Sequence, residues 1–468
     1  MTTHATTGAS ATGSSAANSP QGVGAPTAVP ARNPAPAGYA ALHVEFAPLF
    51  SRIAEGARQR DLDRELPFEP VRLLDAAGFG ALLVPEGHGG RGASIETFAR
   101  LLIDLAAADS NVAHLYRSHF GFIESLRWQE PGVRRRWYAR AVAGETVGNA
   151  STERGGNALG TLNTTLSRAD GAWRLDGTKY YSTGTIFSDY TRVSAQVAGS
   201  AGRRFAVVPV AAEGVRIEDD WDGFGQRLTG TGTAVFSSVA VDPADVLDRV
   251  VGTAEAVHEA AFFQLVLLAV LAGIARAARD DAAAVVASRA RTFNTGSGLP
   301  FREDPLIQEV VGGIAAKAFT AEATVVAAAR ALDEAVASVD AAVARAASGD
   351  GAGSDAGAPP AAPGAPWLPA ATREGHLAEL AVEQAQVSVP ELALAAAQQL
   401  FAATGASATS TSKGLDRHWR NAQTVATHNP AAFRARAVGD YFVNGTLPQG
   451  LNAIGDATSG SAAAPGRS

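Results

Sequence analysis

The 468-residue chain contains no cysteine. Disulfides, thiolate metal sites and cysteine nucleophiles are excluded together. Residues 1–37 contain no Phe, Trp, Tyr, Ile or Leu and consist mainly of Ala, Thr, Ser, Gly and Pro. Such a stretch cannot bury enough apolar surface to offset the entropy of ordering it, so a disordered tail is expected. It also lacks the basic n-region and apolar h-region of an export signal. No charge-free apolar run reaches about 18 residues; the nearest, Ala260–Ile274, continues into Arg276 and Arg279. A basic excess is missing too: 39 Lys and Arg against 46 Asp and Glu give a net charge of −7, which argues against nucleic-acid binding. The Gly-rich loop over Gly87–Gly92 lacks the Lys-Ser/Thr end of a phosphate loop. No Ser-His-Asp signature is visible, and no His/Asp/Glu spacing suggests a metal. The expected compartment is the cytoplasm, with neither membrane nor nucleic acid as a partner.

What is present suffices for a large core, since 46% of residues are hydrophobic. Helical periodicity begins near Tyr39, with Phe46, Leu49, Phe50, Ile53, Ala54 and Ala57 on one face. Further helices are predicted over 67–77 and 94–108. Asp109-Ser110-Asn111 reads as a fresh N-cap for a helix that carries His114, Tyr116, Ser118 and His119. Pro131 suits the first position of another. From about 146 to 247, short strands alternate with turn residues, the pattern of a small β-barrel or sandwich. Long helices follow over 254–290, 305–346 and 373–403, the last with a kink or break expected at Pro390. The fold class is therefore α+β. A tail over 1–37 precedes an N-terminal helical domain over 38–145 and a central small β-barrel domain over 146–248. A C-terminal four-helix bundle covers 249–447, interrupted by a flexible insert at 347–372, and 448–468 is a second disordered tail. The long apolar helices exceed what one monomer can cover, so oligomerisation is expected.

Polar motifs are set into this frame. In Gly148–Gly156, Asn149, Ser151 and Thr152 offer an amide, hydroxyls and loop N–H groups that can grip the polar edge of a planar heterocycle. Gly177–Gly184 ends a strand in Tyr181, Ser182 and Thr183. His114 and Ser118 are spaced i, i+4 on one predicted helix face. Arg291, at the end of the first long helix, suits bidentate phosphate contact or a C-terminal cation against the macrodipole. Leu415–Pro430 crowds Asp416, Arg417, His418, Trp419, Arg420, Asn421 and His428 into one turn, with no carboxylate between Arg417 and Pro430. His88 and His376 are read as structural.

Over roughly Tyr39 to Leu447, the order of parts and these motifs resemble the acyl-CoA dehydrogenase superfamily. They look closest to its flavin-dependent monooxygenase branch, similar to the dibenzothiophene and dimethylsulfone monooxygenases. The resemblance implies a cytoplasmic homotetramer in sulfur metabolism that takes reduced FMN from a separate NADH-dependent flavin reductase, with FAD as the alternative cofactor. Through a C4a-hydroperoxyflavin it would pass one atom of dioxygen to a small apolar or organosulfur molecule. The resemblance makes His114, Ser118, Thr183 and His428 catalytic, with Thr183 beside flavin N5. It assigns Asn149, Ser151, Thr152, Tyr181, Ser182, Thr183, Arg291, Ala406, Ser407, Asn421 and His428 to the cofactor. Three positions depart from the branch: Ser118 replaces a Tyr, Val425 a second His and Ser407 a second phosphate-binding Arg. An acyl-CoA dehydrogenase would need a carboxylate base; the usual position lacks one, and Glu255 or Glu259 on the first long helix could supply it. A scaffold that has lost catalysis is the third reading.

Overall fold

A computed structural model of the chain describes residues 38–154, 162–169, 171–198, 203–248, 250–290, 292, 296–348, 361–362 and 365–448. The first helices form where the apolar stripes lie. Helix α1 (Tyr39–Asp63) buries Leu42, Phe46, Phe50, Ile53 and Ala57, while Ala54 faces out. Helix α2 (Phe68–Ala76) follows, then α3 (Ile95–Ala108), whose N-cap Ser94 accepts the Thr97 N–H at 3.1 Å.

The helix expected to carry both His114 and Ser118 is two short ones, α4 (Ser110–Leu115) and α5 (Arg117–Ser125), with Tyr116 between them. Asp109 caps the first by accepting the Asn111 N–H at 3.0 Å. The Tyr116 hydroxyl is drawn away to Asp75 Oδ1 (2.6 Å). The Gly184 turn presses on the same point: a Cβ there would lie 2.4 Å from the Leu115 carbonyl oxygen. Helix α6 (Pro131–Val142) starts on Pro131 as expected.

The middle segment is one mixed sheet of β1 (Val147–Ala150), β2 (Thr165–Ala169), β3 (Ala172–Lys179), β4 (Tyr190–Val197), β5 (Arg203–Pro209), β6 (Val215–Ile217), β7 (Ala234–Val241) and β8 (Val246–Asp248). The strand order is β6-β7-β3-β2-β4-β5-β8, with β1 parallel to β4. It curls around a small core of its own that includes Ala150, Leu166, Leu175, Val193, Val208, Phe236 and Val239.

Three long helices follow: α7 (Ala254–Ala287), α8 (Pro305–Ser348) and α9 (Arg373–Thr404). Helix α9 continues through Pro390 as one element. The predicted insert is not wholly an excursion. Strands β9 (Ala361–Ala362) and β10 (Ala365–Pro369) pair, Leu368 is buried in the main core, and Ala370 bridges to Thr253. Helices α10 (Asp416–Ala426) and α11 (Ala431–Asn444) close the bundle. By length and composition α7 and α8 could each cross a bilayer, but 83% of the apolar window of α7 is buried inside the protein. For α8 the figure is 22%, and Leu306 and Phe319 stand exposed on it. Helix α11 buries none of its residues and exposes Phe433, Phe442 and Val443.

Candidate active site

The sheet, α4, α5 and the turn after α10 meet around a chain of hydrogen bonds. After β3 the backbone turns sharply at Tyr181, whose φ of 58° is unusual for a bulky residue and whose ring is 45% exposed. The turn is fixed from both sides. Tyr180 N–H donates to the Thr152 carbonyl (2.8 Å), while the Ser182 N–H and hydroxyl both donate to the Gly232 carbonyl (3.0 and 2.7 Å). Ser182, assigned to the cofactor by resemblance, therefore holds the turn with its hydroxyl. The Ser118 hydroxyl donates to the Thr183 carbonyl at 3.1 Å.

Thr183 Oγ1 lies 2.8 Å from Thr231 Oγ1, which lies 2.7 Å from Thr229 Oγ1. The Thr229 hydroxyl donates to the Gln226 carbonyl at 3.1 Å. A threonine hydroxyl has one proton. With that of Thr229 engaged, Thr231 must donate to Thr229 and Thr183 to Thr231. The lone pairs of Thr183 are left to accept a hydrogen from whatever lies beside it.

Gln226 joins this chain to the histidine. Its Oε1 is 3.2 Å from His114 Nδ1, so that nitrogen carries the proton and Nε2 the lone pair. Its N–H donates to Asn421 Oδ1 (2.7 Å), and Asn421 Nδ2 donates to Ser110 Oγ (3.1 Å). Asn421, expected against the cofactor, thus braces the wall from behind, because its amide is engaged inward. Burial, then the charge of Arg117, lowers the His114 pKa to about 4 against the pull of Gln226. Desolvation of the ring, then Arg117 and His114, hold His428 well below its ordinary value, although the residue is exposed at the surface. Both imidazoles are neutral at pH 7, and each can accept a proton only as a transient base.

At the sheet entrance, Ser151 Oγ donates to Asn149 Oδ1 (2.9 Å). The Ser151 carbonyl accepts from Lys179 Nζ (3.3 Å) and Ser194 Oγ (3.1 Å). Fully buried Lys179 pairs with Glu153 at 2.7 Å. Burial works to raise the Glu153 pKa, but hydrogen bonds from Lys179 and the Asn163 and Thr164 N–H groups outweigh it and bring it to about 2. The pair fixes the loop that carries Asn149, Ser151 and Thr152.

The remaining expectations divide. Arg291 lies outside the described residues. Ala406 and Ser407 are exposed in a short 3-10 segment, Ala406–Thr409, where Arg289 Nη2 donates to the Ser407 hydroxyl. A guanidinium therefore stands beside Ser407 after all. Arg417 and His418 pair with Asp281 (2.8 and 2.7 Å), and Arg420 with Asp61 and Asp416. These residues tie α10 to α7 and α1. Val425 is buried against the bundle. Of the two candidate dehydrogenase bases, Glu255 accepts from Gln129 Nε2 (2.8 Å) and Glu259 is ion-paired with Arg192. A carboxylate held by a guanidinium is poorly poised to take a proton. The sequence reading missed Gln226, Thr229, Thr231 and Arg117; the alternation Thr229-Gly230-Thr231-Gly232-Thr233 was the one available signal.

A reduced flavin fits these donors and acceptors. Thr183 presents lone pairs, Asn149 and Ser151 offer amide and hydroxyl groups at a fixed loop, and the Tyr181 ring is half exposed, with the Arg154 guanidinium 5.2 Å from its centroid.

Three family models match the chain: the acyl-CoA dehydrogenase N-terminal domain over residues 49–145, the middle domain over 149–239 and the C-terminal domain over 369–433. The probable FMNH2-dependent monooxygenase SfnC of Pseudomonas putida is 27% identical over 86% of this chain and 94% of its own length. Dibenzothiophene monooxygenase of Mycolicibacterium goodii is 27% identical over 80% of this chain and 87% of its own. Among solved structures, TdsC of Paenibacillus sp. A11-2 with FMN and indole superposes with a TM-score of 0.74 at 26% identity, covering 87% of this chain and 99% of that one. Methanesulfinate monooxygenase MsuC of Pseudomonas fluorescens gives 0.75 at 26% identity, covering 87% and 98%.

Proposed function

The chain belongs to the acyl-CoA dehydrogenase family, and from that premise we propose that it is a reduced-flavin-dependent monooxygenase acting on a small organosulfur substrate. The observation that carries this reading is the hydroxyl chain that makes Thr183 an acceptor, joined through Gln226 to the neutral imidazole of His114. A dehydrogenase needs a free carboxylate, and the candidates on α7 are engaged elsewhere. The relatives and neighbours described above support the same reaction class and FMN as the cofactor.

When bound, reduced FMN supplies the electrons and the position at which dioxygen reacts. The chain binds, orients and shields. Thr183 would accept a hydrogen from the reduced ring, and Asn149, Ser151, Thr152 and Tyr181 would hold the ring in place. Arg289, placed by Ser407, and Arg291 serve the phosphate. His114 Nε2 and His428 take up and return a proton near the reacting atoms, a role worth about 10²- to 10⁴-fold in rate. Ser118 leaves more room than the Tyr it replaces. Exclusion of water keeps the activated oxygen from being lost as hydrogen peroxide.

The assembly we propose is a homotetramer, supported by the apolar residues that α8 and α11 expose, and the reduced flavin comes from a separate NADH-dependent reductase. The test is anaerobic binding of reduced FMN, followed by admission of air and mass spectrometry of candidate organosulfur compounds. Product in wild type, and hydrogen peroxide in place of product with His428→Ala, is the expected result. Reduction of bound FAD by an acyl-CoA, without any oxygenated product, would overturn the reading.

A further inference from the structure

The ring of His114 is buried, and among the described residues its one hydrogen-bond partner is Gln226, with Oε1 3.2 Å from Nδ1. Whether Nε2 offers a lone pair or a proton follows from what Nδ1 does. That depends on the Gln226 amide. With its oxygen toward the ring, Nδ1 carries the proton and Nε2 accepts. With its nitrogen toward the ring, the tautomer inverts and Nε2 donates. The two ends of an amide are nearly the same size, so packing alone does not select one.

The selection is made one residue further back. Ser110 and His114 stand four apart on α4, and the Gln226 amide bridges them: its Nε2 donates to Ser110 Oγ at 3.3 Å. Asn421 Nδ2 donates to the same oxygen at 3.1 Å. Asn421 cannot turn its amide over, because its Oδ1 accepts the Gln226 backbone N–H at 2.7 Å and that group is only a donor. Its nitrogen therefore always faces Ser110. A serine hydroxyl has two lone pairs and one proton. The two amides fill the lone pairs. The proton is left for the far side, where Ser110 borders a small polar cavity with Asp61, Asp109 and His418. Ser110, Gln226 and Asn421 are each at most 7% exposed, so bulk water does not replace a lost partner.

We propose that Ser110 is a positioning residue: by accepting from Gln226 Nε2 it orients that amide, and so makes His114 Nε2 a proton acceptor. Ser110 acts on the site only through Gln226. Without the hydroxyl, the nitrogens of Gln226 and Asn421 face a methyl group with no acceptor between them. Turning the Gln226 amide over points its oxygen toward Asn421 Nδ2 and its nitrogen at His114 Nδ1, and the ring must then carry its proton on Nε2.

The experiment is nitrogen solid-state NMR of the full chain with isotope-labelled histidine, without flavin, at about pH 9, well above the ordinary titration of histidine. The signal of His114 among the nine histidines is identified by its loss in His114→Gln. Wild type should hold the proton on Nδ1 over Nε2 by about 10-fold, as one hydrogen bond supplies. In Ser110→Ala, and in Ser110→Cys, whose sulfur is a weak acceptor, the Nε2–H form should become the major one. A carboxylate has no nitrogen to present. Adding Gln226→Glu to either variant should therefore return the proton to Nδ1, which it would not do for a merely displaced helix. A proton on Nε2 and a bare Nδ1 in wild type would overturn the proposal. So would an unchanged tautomer in both Ser110 variants, or a bare Nδ1 that persists after Gln226→Glu. Because no flavin is present, failure here leaves the monooxygenase reading standing, and failure of that reading leaves the tautomer as measured.

Discussion

The hydroxyl oxygens of Thr183 and Thr231 are 2.8 Å apart, and Thr231 receives the proton of Thr183 only because Thr229 directs its own to the Gln226 carbonyl. Replacing Thr231 by Val removes the acceptor and frees the Thr183 hydroxyl to donate. Oxidised FMN has an acceptor at N5 and reduced FMN a donor. Thr231→Val should therefore reduce the preference for reduced over oxidised FMN by about 5- to 10-fold, the worth of one hydrogen bond. Fluorescence titration with oxidised FMN and anaerobic titration with reduced FMN give the two constants. An unchanged ratio would dissociate Thr183 from N5.

Acid should weaken the fold through two buried histidines. His119 Nε2 donates to the Gly80 carbonyl (2.8 Å), while its Nδ1 accepts the Val147 N–H (3.2 Å), so only the neutral ring satisfies both bonds. Burial lowers the pKa of both His119 and His114 to about 4. In the unfolded chain a histidine titrates near 6.5, so protons favour the unfolded state as pH falls. Their contribution is complete above about pH 6.5 and lost between there and about pH 4, up to about 3 kcal/mol for each ring. Urea melts at pH 7.5, 5.5 and 4.5 measure the slope. His119→Phe should be less stable at pH 7.5 but less sensitive to acid.

Arg289 offers a cation where the sequence suggested that one was missing. Arg289→Ala should weaken FMN binding by about 10-fold or more, the worth of a charged hydrogen bond, and leave riboflavin binding nearly unchanged. Equal losses for the two ligands would show that Arg289 shapes the site without touching the phosphate.

The exposed rings on α8 and α11 predict assembly. Phe319 and Phe433 are 74% and 67% exposed, and covering such a side chain contributes about 1.5–3 kcal/mol. Light scattering should find wild type as a tetramer and Phe319→Glu or Phe433→Glu as smaller species. A monomeric wild type would remove the reason for these faces.

Most of this architecture could be read in the chain because it is local. The stripe of α1, the cap at Asp109 and the turn-punctuated strands are written in consecutive residues. The motifs pointed to His114, Ser118 and Thr183, and in the fold the first is joined to the last through Gln226, Thr229 and Thr231. Gln226 itself has no periodic neighbourhood, and its role depends on a left-handed φ of 49° and on Asn421, 195 residues away. In the stretch from Leu415 to Pro430 the crowding of charges was visible, but the partners of Arg417, His418 and Arg420 are Asp281 and Asp61, distant in sequence. Composition shows that such charges must be paired, and only the fold shows with what.

The Glu153 carboxylate has a consequence for engineering. It accepts the Asn163 N–H at 2.7 Å and the Thr164 N–H at 2.9 Å while holding Lys179, so it staples together the two ends of the segment between them. Extra length between two held ends costs little, because doubling a connection costs only about 0.6 kcal/mol in closure entropy. A short peptide tag inserted between residues 156 and 160 should therefore leave flavin affinity within about twofold. Glu153→Gln, which opens the staple without changing its length, should lower it in a way that a shorter insert does not relieve.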